Sequence, residues 1–114
     1  MLENIIRAAV EKRCAVAQVK LRKLEREYRE SEKLAVERFA KLIKPETIDQ
    51  VNLELIKAIK QEHEALSYIG NLITQAQADL DTYKRLAYNS KAMQEFIDRH
   101  TGIEKRGENE DVKL

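Results

Sequence analysis

With three glycines, one proline and no tryptophan among 114 residues, the chain has too few turn-makers for a sandwich or a barrel. Its single cysteine, Cys14, excludes an internal disulfide. No window approaches the roughly 18 uncharged apolar residues of a membrane span. The longest run without Asp, Glu, Lys or Arg, Ala65 to Ala78, is broken by Asn71, Thr74, Gln75 and Gln77. Arg7, Glu11, Lys12 and Arg13 interrupt the only stretch apolar enough for a signal-peptide core, so a cytoplasmic protein is expected. An excess of either charge is also lacking. Twenty-one basic and twenty acidic side chains leave a net +1, which gives no global field toward nucleic acid or anionic lipid.

What is abundant points one way. Ala, Leu, Glu, Lys and Arg, the residues that lose least on entering a helix, dominate the composition. Thirty Leu, Ile, Val and Phe residues exceed the roughly one-fifth share below which chains stay disordered. The expected class is all-α, in a single helical-hairpin domain over 1–103 followed by a flexible charged tail over 104–114.

From Leu2 to Leu42 there is neither Gly nor Pro, and Val10, Cys14, Ala17, Leu21, Leu24, Tyr28, Ser31, Ala35 and Leu42 recur at alternating three and four. This predicts a first helix over about 2–42. Pro45 ends it, and Thr47 with Gln50 fits a capping box opening a second helix over about 46–87. The second stripe is Ile48, Leu55, Ile59, Leu66, Ile69, Ile73, Ala76, Leu80, Tyr83 and Ala87, a heptad-like seam. Gly70 lies beside it and is expected to bend the helix at most locally. Asn89 or Ser90 caps a short third helix over about 91–100, closed by Gly102, with Ile103 folding back on Ile97.

Two long helices joined by a short turn run antiparallel, as in a coiled coil. Setting Leu42 opposite Ile48 places Arg38 by Asn52, Tyr28 by Glu62, Leu24 by Leu66 and Arg7 by Tyr83. It also lays residues 7–26, net +5, along residues 61–83, net −4, which disfavours slipped hairpins. Helix one carries more apolar surface than one partner covers, with Ile5, Ile6, Ala9, Val16 and Val19 off the seam. Met93, Phe96 and Ile97 of the third helix are expected to cover part of it, and a second copy the rest, as a dimeric four-helix bundle.

Residues suited to chemistry are sparse. His63-Glu64 opens the zinc pattern HExxH, but Ser67 stands where the second histidine belongs. Lys60 stands where a di-iron bundle needs Glu. Cys14 falls among alanines on the seam, where a thiol acts as a small apolar group, and His100 suits the negative end of the third helix. No phosphate loop, Ser-His-Asp set or acid/base pair is present, so no enzyme activity, cofactor or metal is expected. The expected function is a non-enzymatic homo-oligomeric module that binds another protein as adaptor, inhibitor or assembly component, using Tyr68, Val16 and Val19. An alternative is a nucleic-acid-associated regulator using Arg13, Lys20, Arg22, Lys23 and Arg26, although no aromatic residues interleave these to stack bases. A second alternative is a bundle with a small-ligand pocket between protomers.

Overall fold

The computed structural model describes residues 1–102. These form α1 (Leu2–Leu42), a 3-10 turn (Pro45–Thr47), α2 (Leu53–Tyr88) and α3 (Ser90–Thr101), with no strand among the described residues. The expected tail, 104–114, and the contact of Ile103 with Ile97 lie outside them. None of the helices is long and apolar enough to cross a membrane.

The described residues divide into two compact units, one of Lys20–Gln77 and one of Met1–Val19 with the described residues from Ala78 onward. The first is a helical hairpin. Lys44 is extended (φ −127°, ψ 144°), as a residue before proline must be, and Pro45 opens the 3-10 turn. The expected capping box at Thr47 does not form. The Thr47 hydroxyl donates to the Lys44 carbonyl at 3.2 Å, which commits it to the turn. Asn52 caps α2 instead, its Oδ1 accepting the Leu55 N–H at 3.1 Å while its Nδ2 donates to the Leu42 carbonyl at 2.9 Å. One side chain thereby satisfies an orphan donor of α2 and an orphan acceptor of α1.

The connection is consequently ten residues long, 43–52, and α2 starts at Leu53 rather than near residue 46–48. This shifts the register along α2, by four residues at Leu42 and by nine to ten at Arg38. Leu42 meets Asn52, not Ile48, which stays exposed. The Arg38 guanidinium reaches Glu62 at 3.2 Å and Gln61 at 3.1 Å rather than Asn52, so Glu62 is engaged by Arg38 and not by Tyr28. Tyr28 shares a depression with Leu66 and Gly70. Seams with alternating three and four spacing meet again after a slip of whole turns, so periodicity alone does not choose the register.

Every expected seam residue of α1 is buried or half-buried. On α2 the expectation fails at Ile48 and at Ile59, which is 47% exposed while its neighbour Ala58 is 2% exposed. The buried residues of this unit are Leu21, Ala35, Ala58 and Ala76, a thin core of mostly small side chains. α2 runs unbroken through Gly70.

The second unit packs the start of α1 and the end of α2 with α3. Val10, Met93 and Ile97 form its core cluster, with Ile6, Leu86, Ala87 and Phe96 packed around them. Leu80, Met93 and Ile97 are at most 1% exposed, and Cys14 is buried and free. The third helix thus covers part of the α1 surface with the three expected side chains. Asn89 caps it, accepting the Ala92 N–H at 3.1 Å. Gly102 ends it with right-handed backbone (φ −84°), its N–H bonding the Asp98 carbonyl at 2.8 Å. This is an ordinary last turn, not the left-handed glycine cap.

Candidate functional site

An open groove of about 990 Å³ lies in the unit that contains α3. Three helical faces build it. Ile6, Ala9, Val10 and Arg13 stand at i, i+3, i+4 and i+7 along α1; Thr82, Tyr83, Arg85 and Leu86 come from the last turns of α2. α3 supplies Ala92, Glu95, Phe96, Arg99 and His100. Ile6, Val10, Leu86 and Phe96 give it an apolar lining, with Val10 largely buried and the other three half-buried. Arg13, Arg85 and Arg99 are exposed, with Glu95 the one acid in the lining. The His100 ring lies against Phe96 at a centroid distance of 4.2 Å, and its Nδ1 is 2.9 Å from the Phe96 carbonyl. That histidine is held by its own helix, at the end where the backbone carbonyls point outward. Tyr83, expected beside Arg7, lines the groove with Val10 and Arg13.

The side chains expected to bind a protein partner are all exposed, Val16 at 54%, Val19 at 66% and Tyr68 at 67%. None lines the groove, and Val16 and Val19 belong to one compact unit while Tyr68 belongs to the other. Tyr68 does not share the surface of Gly70. Residues two apart on a helix stand about 200° apart around its axis. Gly70 opens instead onto the depression lined by Tyr28, His63, Leu66, Ser67, Asn71 and Thr74.

The five basic residues of the nucleic-acid alternative are exposed but do not share one face. Arg13 lines the groove. Arg22 and Arg26 lie on an α1 face with Arg29 and Lys33, spaced four, three and four, and Glu25 and Glu30 interrupt it. Lys20 and Lys23 lie off that face. Arg29 and Lys33 join this row through the helical repeat, which consecutive charges along the chain do not reveal. Arg29 approaches Glu25 at 3.8 Å in an exposed pair of the kind worth under about 1 kcal/mol. Among the described residues no group of three or more His, Cys, Asp or Glu is placed to hold a metal ion. Compared with protein families, curated proteins and solved structures, the chain shows a significant match to none.

Proposed function

We propose that this protein is a non-enzymatic helical interaction module that self-associates, as a homodimer with the character of a four-helix bundle, and presents helix surfaces to another protein. Adaptor, inhibitor and assembly component are the roles such a surface serves. One observation carries the reading: sixteen large apolar side chains stay exposed among the described residues, against ten buried apolar ones of which four are alanine. A protein that leaves this much apolar surface in water uses it for association. The cytoplasm suits a lone buried thiol such as Cys14, since that compartment keeps thiols reduced.

The test is capture of a partner from lysate by the intact chain, repeated with Val16→Asp/Val19→Asp and with Tyr68→Asp. These exposed substitutions leave the helical circular dichroism unchanged. A discrete partner lost with either variant supports the reading, and a capture pattern indifferent to both contradicts the assignment of these residues.

The row Arg22, Arg26, Arg29 and Lys33 supports a second reading, a regulator that binds nucleic acid through phosphate contacts. It requires a salt-dependent shift of labelled DNA or RNA that is lost in Arg22→Glu/Arg26→Glu. The third reading, a small-ligand bundle, draws on the groove and requires a rise in melting temperature in a ligand screen.

A further inference from the structure

The turn between α1 and α2 is unlike the rest of the surface. From Pro45 to Ile56 the chain carries Glu46, Asp49 and Glu54 and no Lys, Arg or His. Within the same twelve residues Ile48, Val51 and Leu53 are 69%, 78% and 76% exposed, among the most exposed aliphatic side chains of the protein. Lys41 and Lys44 flank this segment on the α1 side. It is an acidic, apolar knob without a cover.

The groove described above has the opposite character. Its apolar lining of Ile6, Val10, Leu86 and Phe96 is bordered by the exposed guanidiniums of Arg13, Arg85 and Arg99, against the single carboxylate of Glu95. Its volume of about 990 Å³ is ample for three aliphatic side chains.

We infer that the groove of one copy receives the turn segment Pro45–Ile56 of a second copy, so that Ile48, Val51 and Leu53 enter the apolar lining while Glu46, Asp49 and Glu54 meet the arginines. The inference rests on the self-association proposed above and names its contact. Complementary apolar and charged features on two different surfaces of one chain make a contact between unlike patches. Such an interface closes when two copies exchange turns reciprocally and otherwise propagates into longer assemblies. Lys44 beside the segment and Glu95 in the groove carry charges of the signs that match each other across the same contact. Because charge orients the contact, association weakens as salt rises.

The experiment is charge exchange, read as molar mass by light scattering after size exclusion, with circular dichroism confirming that each variant is helical. All four substitutions are at exposed positions. The wild type runs above the 13.3 kDa of one chain. Arg85→Glu/Arg99→Glu, and separately Glu46→Lys/Asp49→Lys, each fall to the mass of one chain at the same concentration. A chain carrying all four substitutions regains the wild-type mass, and an equimolar mixture of the two double variants forms a one-to-one complex in which the intact turn meets the intact groove and the reversed turn meets the reversed groove. A mass unmoved by either double variant, or a loss that the four-fold exchange does not restore, overturns the turn-in-groove contact while leaving self-association standing. A wild type at the mass of one chain overturns both.

Discussion

At the turn between α1 and α2 two residues compete to begin the second helix, Thr47 and Asn52. The sequence favours Thr47, because Gln50 stands three residues on, whereas Leu55 at the same distance from Asn52 offers no reciprocal side chain. The structure gives the cap to Asn52 because the Thr47 hydroxyl is held by Lys44 and because Asn52 reaches both helices at once. Asn52→Ala removes the cap and leaves the Leu42 carbonyl without that donor, so a loss of about 1–2 kcal/mol is expected in a urea melt. Asn52→Asp keeps the acceptor for Leu55 but not the donor for Leu42, and falls between the two. Gly70 allows a prediction of the opposite sign. A Cβ there meets nothing within 4 Å, and a glycine inside a helix costs about 1 kcal/mol relative to alanine. Gly70→Ala therefore raises the melting temperature, with a gain of up to about 1 kcal/mol by denaturation.

The helices themselves were legible wherever a stripe ran long. Every expected α1 seam residue is removed from solvent to some degree, and α3 lies within a residue of its expected bounds because Asn89 caps it and Met93, Phe96 and Ile97 share one face. The register between α1 and α2 was less legible, for the reason that two heptad seams satisfy each other again after a slip of whole turns. Ala58 displaced Ile59 from the interior because the choice between adjacent positions depends on how the helices approach, which periodicity leaves open. Packing is also uneven between the compact units. All side chains below 2% exposure and larger than alanine, namely Leu80, Met93 and Ile97, belong to the unit that contains α3. Ile97→Ala is expected to cost about 2–5 kcal/mol in a urea melt, as deletions from closed cores do. Native-state hydrogen exchange should follow the same division, with strong protection for amides near Leu80 and Ile97 and weak protection from Leu53 to Ile59, where few large side chains are buried. Uniform protection along α2 contradicts this division.

For the whole molecule, the surplus of apolar surface was readable from Ile5, Val16 and Val19, which fall off any single seam. The groove was not. It requires α3 to turn back over the first turns of α1, and it gathers Arg13, Arg85 and Arg99 from three helices separated widely in sequence. Nor did the near-neutral net charge announce that an acidic, apolar turn and an arginine-edged groove occur on one chain. The proposed association with a second copy draws on what these surfaces leave uncovered, and it is measured most directly by light scattering across a hundredfold range of concentration in low salt. A self-associating module gives a molar mass that reaches at least twice 13.3 kDa and falls on dilution or on adding salt. A mass of 13.3 kDa at every concentration contradicts it.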